Sequence, residues 1–242
     1  MSRGDRRPTP FAHCCADGVS LVGDRLEGRG PGYLYLHGLG AAHVGGKSDS
    51  LVAHALARGE RCLRIDLRGH GGSGGVLGEV PVRQLAADVV ELLLRCGPLR
   101  LVGSSLGGLV AALAAAARPE LVPAIALVAP AFGLLPRLHT CLDAAGRMRT
   151  SEGRWFVVAP AVLAEARALD EAALARSLPM PVFAAHGDAD DVIPIADCER
   201  FVAAIPHADK AFWRVAGGDH RLTAVAPELW QRFDRFVAAR GA

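Results

Sequence analysis

The sequence Gly103-Ser104-Ser105-Leu106-Gly107 fits the pattern G-x-S-x-G, which can expose a serine as a nucleophile. An apolar run at 99–102 precedes it and a longer one at 106–117 follows it. This order predicts a strand, a tight turn and a helix, with glycines that leave room for a crowded backbone. A second match at 71–75 lies in a glycine-rich loop with no helix after it, and we interpret that match as loop. A serine hydroxyl is a poor nucleophile at neutral pH, so Ser105 requires a base.

A histidine and an aspartate that could activate the serine follow it in the order Ser, Asp, His. His220 comes directly after the last predicted strand and is predicted to be the base. Asp190, at the turn of a loop that leaves the preceding strand, is predicted to orient the imidazole and stabilise its charged form. Asp188 and Asp191 stay open as alternative acids. Three other histidines follow the serine and are the alternatives to His220: His139, His186 and His207.

Acyl transfer also needs backbone N–H donors for the negative oxygen that develops on the carbonyl. The amide of Leu106 begins the predicted helix and is one expected donor, because the helix dipole favours negative charge there. The loop 37–40 follows another predicted strand, and the amide of Leu39 is the second expected donor. Together these residues predict hydrolysis of a carboxylic ester or thioester through a covalent acyl-enzyme. Acyl transfer, peroxidation and amide cleavage use the same triad and stay open as alternatives.

The elements that must position these residues are short apolar runs that alternate with amphipathic stretches. Such alternation predicts a mainly parallel, doubly wound α/β sheet with helices on both faces. The first 28 residues predict an antiparallel pair of strands. Open α/β sheets bind ligands at the carboxyl ends of their strands, so the chemistry is expected there. The predicted strands lie at 33–36, 62–65, 99–102, 124–128, 182–185 and 211–215.

The segment 137–180 interrupts the alternation, because it contains a helical pattern at 162–178 and no strong strand pattern. We interpret it as a small helical cap inserted into a core formed by 1–136 and 181–242, with ordinary crossover helices as the alternative. The cap is expected to select the acyl group. The candidate substrate-binding residues are Leu138, Met148, Trp155 and Phe156, with Val157 and Val158 beside them.

The composition limits the other classes of function. The 242 residues suit one domain, 51% of them are hydrophobic, and the net charge of +2 gives no electrostatic case for nucleic acid or an anionic membrane. No signal peptide or membrane span is predicted. The six cysteines form no C-x-x-C pair and are expected to be reduced thiols in the cytoplasm. Neither a metal site nor a cofactor is predicted, and a small ester or thioester is the expected ligand; the sequence does not indicate the oligomeric state.

Taken together, these motifs resemble the α/β-hydrolase fold enzymes over most of the chain. The resemblance implies that Ser105, Asp190 and His220 form a triad and that Leu39 and Leu106 form the oxyanion hole, without a cofactor. A serine at 105 argues against the dehalogenases and epoxide hydrolases, which use an aspartate there. The motifs at 103–108 and 129–133 resemble small bacterial serine esterases, which are similar to the mitochondrial palmitoyl-protein thioesterase that also cleaves acyl glucuronides. The matching segments are 37–40, 66–73, 103–107, the Asp190 loop and 218–220.

Two other interpretations fit parts of the sequence. The segment 40–48 ends in Gly-Lys-Ser and approaches a phosphate-binding loop, but Ala41 stands where that motif requires glycine. A protein of the same fold could also bind a small ligand without turnover, since fold alone does not determine function. Hydrolysis of a 4-nitrophenyl ester separates this second alternative from the enzyme.

Overall fold

The structure, a computed structural model, describes residues 6–150 and 153–241 and is built on a sheet of eight strands. Across the sheet the strands follow the order β1-β2-β4-β3-β5-β6-β9-β10, and β7 and β8 form a separate hairpin. The strands are β1 (Thr9–Cys14), β2 (Ser20–Leu26), β3 (Arg29–Leu36), β4 (Glu60–Ile65), β5 (Arg100–Ser104), β6 (Ile125–Val128), β7 (Arg147–Arg149), β8 (Trp155–Val157), β9 (Val182–Gly187) and β10 (Lys210–Val215).

Most of the sheet is parallel. β3 pairs in parallel with β4 and β5, and the parallel pairing continues through β6 and β9 to β10. β2 is antiparallel to both of its neighbours, β1 and β4. The predicted α/β sheet and its antiparallel N-terminal pair are therefore confirmed. Because parallel strands end at the same edge, the loops after β3, β4, β5, β9 and β10 meet there.

The helices cover both faces of the sheet. On one face, α2 buries Leu85, Val89 and Leu92 in a cluster shared with α3 and α6. On the other face, α7 buries Trp230 and Phe233 beside α1. The apolar stripes predicted for α2 and α7 thus face the core. The helices are α1 (Gly46–Arg58), α2 (Val82–Cys96), α3 (Leu106–Ala117), α4 (Pro160–Ala168), α5 (Glu171–Arg176), α6 (Ile195–Ala204) and α7 (Ala226–Ala238).

The segment predicted as a helical cap contains strands as well as helices. A 3₁₀ turn at Leu135–Cys141 leads to the β7–β8 hairpin, which α4 and α5 follow. Strands of three residues are too short to show a period of two in the sequence, which is why the pattern predicted none. The predicted helix at 162–178 is interrupted where Asp170 caps α5 by accepting the Ala173 amide at 2.9 Å. The boundaries 137–180 stay a prediction.

All six cysteines are free. Within the described parts of the chain, no helix combines the length and the apolar character needed to cross a membrane.

A buried carboxylate on α7 joins two layers of the fold. Asp234 accepts hydrogen bonds from the Tyr33 hydroxyl at 2.7 Å and from His54 Nε2 at 2.6 Å, and Arg58 Nε lies 3.0 Å away. Its side chain is only 10% exposed. Burial by itself would raise the pKa of Asp234, but the hydrogen bonds from His54 and Tyr33 outweigh it and lower the pKa below its usual value. The ionised carboxylate therefore stabilises the fold.

We expect Asp234→Asn to lower the free energy of unfolding by about 2–4 kcal/mol at neutral pH, because buried donors lose a charged acceptor. A lowered pKa in the folded state means that this contribution is present above the unfolded pKa of about 3.9 and is lost as the pH falls through the folded value. The difference between variant and wild type should therefore shrink in acid, as measured by urea denaturation at a series of pH values.

Glu228→Gln is the matched control, because Glu228 also lies on α7 but forms an exposed pair with Arg232 at 2.6 Å. This change should cost less than about 1 kcal/mol. Equal losses in the two variants would contradict the role given to Asp234.

Candidate active site

Ser105 lies at a sharp turn between β5 and α3. Its backbone has φ 52° and ψ −120°, a conformation that residues other than glycine rarely adopt and that clusters at functional sites. The flanking glycines make this turn possible: a Cβ on Gly103 would lie 2.2 Å from the Gly107 carbonyl oxygen, and one on Gly107 would lie 2.1 Å from that of Leu36. The predicted strand, turn and helix around Ser105 are present.

The structure brings the three predicted residues together. His220 Nε2 lies 3.1 Å from Ser105 Oγ, and His220 Nδ1 lies 2.8 Å from Asp190 Oδ2. Because a carboxylate can only accept, Nδ1 carries the proton and donates a hydrogen bond to Asp190. Nε2 is then free to accept the hydroxyl proton of Ser105. These side chains come from the ends of β5, β9 and β10, at one edge of the sheet.

Asp190 is the carboxylate that contacts His220. Its Oδ1 accepts the amide protons of Val192 at 2.8 Å and Ile193 at 2.9 Å, and its side chain is 1% exposed. Burial alone would raise the pKa of Asp190, but the His186 and His220 imidazoles and the Ile193 amide lower it well below its usual range. Asp190 is therefore ionised at neutral pH.

The alternatives weighed for these two roles lie elsewhere. The Oδ1 atom of Asp188 accepts the Gly217 amide at 2.7 Å, and Asp191 is exposed. His139 is exposed on the 3₁₀ turn, and Nε2 of His207 donates to the Leu178 carbonyl at 2.9 Å. His186 is buried against Asp190 rather than Ser105.

The two amides predicted to bind the developing oxyanion both belong to residues that line the cavity at Ser105. Neither the Leu39 N–H nor the Leu106 N–H has an acceptor within the described parts of the chain. The loop that carries Leu39 approaches the serine closely, since a Cβ on Gly38 would lie 3.2 Å from Ser105 Cβ. Two free donors next to a serine hydroxyl are suited to hold negative charge.

Asp66 holds this loop in place, a role that the sequence did not reveal. Its Oδ1 accepts both the backbone amide of His43 at 2.6 Å and the His43 Nδ1 proton at 2.9 Å, and its Oδ2 accepts the Gly72 amide at 2.8 Å. Burial opposes ionisation, but the donors at Gly72 and His43 outweigh it and lower the pKa of Asp66. Its position directly after a predicted strand was the signal that could have found it.

A cavity of about 350 Å³ opens beside Ser105 and His220. Leu138, Met148 and Phe156, which were predicted as walls, line it, and so does Val158. Trp155 and Val157 do not belong to the lining and are 52% and 60% exposed. Side chains alternate between the two sides of a strand, so Phe156 faces the cavity from β8 while its two neighbours face away. Leu77, Val80 and Leu85 also line the cavity and were not predicted, because ordinary apolar residues carry no binding signal in the sequence.

Comparison with known proteins identifies the family. The sequence pattern of a hydrolase family described as serine aminopeptidase S33 (Hydrolase_4) matches residues 33–165, more than half of the chain. The chain belongs to this family. It is an α/β-hydrolase, and its relatives include palmitoyl-protein thioesterases.

Two curated relatives and one solved structure show how far this similarity extends. The mitochondrial palmitoyl-protein thioesterase ABHD10 of Mus musculus is 29% identical over 219 residues, 84% of this chain and 73% of that protein. The corresponding protein of Rattus norvegicus is 34% identical over 139 residues, but the match spans 56% of this chain and only 47% of the relative. The structure of mouse alpha/beta hydrolase domain-containing protein 10 superposes with a TM-score of 0.82 at 25% identity, covering 96% of this chain and 99% of that one.

One cluster in this α/β-hydrolase has the side chains of a metal site. Ligand atoms of His13, Cys15 and Glu91 lie within 4.8 Å of one another, and no similar group occurs among the other described residues. However, Arg95 lies 3.2 Å from His13 Nδ1 and can only donate, which leaves the proton on Nε2, the atom that faces Glu91. A protonated nitrogen beside a guanidinium does not suit a cation, so we assign no metal to this cluster.

The segment 40–48, the candidate phosphate-binding loop of the sequence, runs from the loop after β3 into the first turn of α1. The Ser48 hydroxyl donates to the His43 carbonyl and accepts from Arg64 at 3.0 Å, so it is occupied within the protein. The Lys47 ammonium donates to the Arg221 carbonyl, next to His220. Burial lowers the pKa of Lys47 to about 8. The segment thus ties the loop of Leu39 to the loop of His220.

Proposed function

We propose that this protein is a serine hydrolase that cleaves carboxylic esters or thioesters with Ser105, His220 and Asp190. One observation carries the proposal: contacts of 3.1 Å and 2.8 Å join the hydroxyl to the imidazole and the imidazole to the carboxylate, and Ser105 and His220 line a cavity. This alignment argues against a protein that only binds a ligand, because binding does not require a base aimed at a serine hydroxyl.

The proposed reaction has two halves. Ser105 Oγ attacks the substrate carbonyl while His220 Nε2 takes its proton, and the amides of Leu39 and Leu106 stabilise the tetrahedral oxyanion. His220 then gives the proton to the leaving oxygen or sulfur as the bond to the carbonyl carbon breaks. In the second half, His220 removes a proton from water, which attacks the acyl-enzyme and releases the carboxylic acid and free Ser105.

The cavity supports an apolar acyl group as the substrate. Leu138, Met148 and Phe156 contribute an apolar wall from the cap side. The one acidic residue in the described cavity lining, Glu165, already accepts the amide protons of Val82 and Arg83 at the start of α2. An aminopeptidase needs a free acceptor for the substrate ammonium group, so this lining favours esters over peptides. The relatives named as palmitoyl-protein thioesterases agree with an acyl substrate.

The test is a rate series from acetyl to palmitoyl, measured with 4-nitrophenyl esters and with matched thioesters. We expect turnover with both leaving groups, a maximum of kcat/KM at one acyl length, and an acyl adduct on Ser105 in quenched samples analysed by mass spectrometry. An aminoacyl 4-nitroanilide is the comparison substrate. Faster cleavage of this amide, or no adduct on Ser105, would contradict the proposal.

We expect Leu138→Trp to shift the preferred acyl length toward shorter chains, with kcat/KM for palmitoyl substrates falling about tenfold or more, because the added indole fills the acyl side of the cavity. The same series of esters measures this shift. Trp155→Ala is the matched control, since this exposed side chain lies outside the cavity lining. A chain-length profile that shifts equally in both variants would show that Leu138 does not limit the acyl site.

A further inference from the structure

His186 is a second imidazole in contact with the carboxylate of the candidate triad. It lies on β9 and is completely buried. Its Nε2–H donates to the Ile193 carbonyl at 3.0 Å, and Oδ2 of Asp190 lies 3.0 Å from the same nitrogen. Both neighbours of Nε2 are acceptors, so the proton resides there. Nδ1 of His186 is buried and has no partner within the described residues.

This contact closes a short turn around Asp190. The Oδ1 atom of Asp190 accepts the amides of Val192 and Ile193 at 2.8 Å and 2.9 Å, which folds the chain back over the carboxylate. His186 reaches both ends of the turn, the carboxylate at one end and the Ile193 carbonyl at the other. Oδ2 therefore lies between two imidazoles, with His220 Nδ1 at 2.8 Å on the other side.

We propose that His186 is a positioning residue for the reaction. It fixes the rotation of the Asp190 carboxylate and, like His220, directs an N–H group at the negatively charged Oδ2. The inference rests on the proposed function. Packing alone does not account for an imidazole here, since an apolar side chain would fill the site without leaving a buried nitrogen unpaired. His186 acts through Asp190, because its own ring contacts Asp190 and Ile193 rather than Ser105.

The proposal has a consequence for the pH dependence of the reaction. If His186 is removed, Oδ2 loses a donor and its charge acts on His220 alone, which stabilises the protonated imidazole. The base then becomes free only at higher pH. The other charged groups on the neighbouring segments stay the same in the variants: Asp188 and Asp191 on the same loop, Asp219 and Arg221 beside His220, and Lys47 from α1.

The experiment compares His186→Leu and His186→Gln with wild type by recording kcat and KM from about pH 5 to about pH 9. In the leucine variant we expect kcat to fall several-fold with little change in KM, and the midpoint of the acid limb of kcat/KM to rise by about half a unit or more. Glutamine can place an N–H near the position of Nε2, so it should restore part of both quantities.

The matched control is His207→Leu. His207 also donates from Nε2 to a backbone carbonyl, and its buried Nδ1 likewise finds no partner among the residues that the structure describes, but it lies before β10, away from Asp190. This variant should leave the midpoint of the acid limb unchanged. A midpoint that stays fixed in both His186 variants, with only the melting temperature lowered, would overturn the proposal.

A measurement without turnover separates this inference from the proposed function. The proton between His220 Nδ1 and Asp190 should give a low-field NMR signal, and we expect its chemical shift to change in His186→Gln but not in His207→Leu. If wild type shows no turnover that depends on Ser105, the proposed function fails, whereas an unchanged NMR signal in His186→Gln contradicts only the role of His186. The glutamine variant also provides this test if His186→Leu does not fold.

Discussion

Replacing Ser105 with alanine is expected to lower kcat/KM for esters by about 10⁴-fold or more, because the acyl-enzyme can no longer form. The change removes one oxygen and keeps the backbone conformation, with φ 52°, equally strained. The unfolding temperature should therefore stay close to that of wild type. Initial rates on a 4-nitrophenyl ester and a thermal melt measure the two quantities.

The second G-x-S-x-G match provides the control. Ser73 Oγ donates to the Asp66 carbonyl at 2.6 Å and accepts the Val22 amide at 3.0 Å, so its contacts are structural. Ser73→Ala should lower the unfolding temperature but retain the acyl adduct on Ser105. An undiminished rate in Ser105→Ala would exclude this serine as the nucleophile.

Replacing Asp190 with asparagine is expected to lower kcat by roughly 10³–10⁴-fold, because the imidazole of His220 then adopts the tautomer that cannot act as a base. The amides of Val192 and Ile193 both donate to Oδ1, so the carbonyl oxygen of an asparagine would occupy that position. Its NH₂ group would then face His220 Nδ1, which has to become an acceptor. The proton moves to Nε2, where it prevents the imidazole from accepting the proton of Ser105.

Asp188→Asn and Asp191→Asn are the controls, and both should keep most of the activity. The Asp188 side chain contacts the Gly217 amide, and Asp191 is exposed. Steady-state kinetics at a pH above the acid limb compares the three variants. A loss in Asp188→Asn or Asp191→Asn as large as that in Asp190→Asn would transfer the role of the acid to that residue.

The sequence predicted the parallel sheet and the positions of Ser105, Asp190 and His220 because both depend on local signals. Each of these residues follows a short apolar run, and parallel strands bring such positions to one edge. The order of the motifs also matched a known family. For this reason a contact between Ser105 and His220 could be predicted although the two residues lie far apart in the chain.

The parts that the sequence did not predict depend on contacts between distant segments. The β7–β8 strands are too short to leave a pattern, so the orientation of Trp155 could not be read from the sequence. The contacts of Asp66 with His43 and of His186 with Ile193 depend on how loops fold over the edge of the sheet. The sequence does not show which hydrogen-bond partner a buried polar group will have, because the partner is set by the fold.

The position of β10 affects how activity is lost under stress. It lies at one edge of the sheet, opposite the β1 edge, pairs with β9, and leads directly into the loop of His220. Strands at an edge can open in subglobal steps that need less free energy than complete unfolding. As denaturant is added, we therefore expect hydrolysis of a 4-nitrophenyl ester to stop before the far-UV circular dichroism of the helices changes, so that the loss of this reaction reports the detachment of one edge of the sheet.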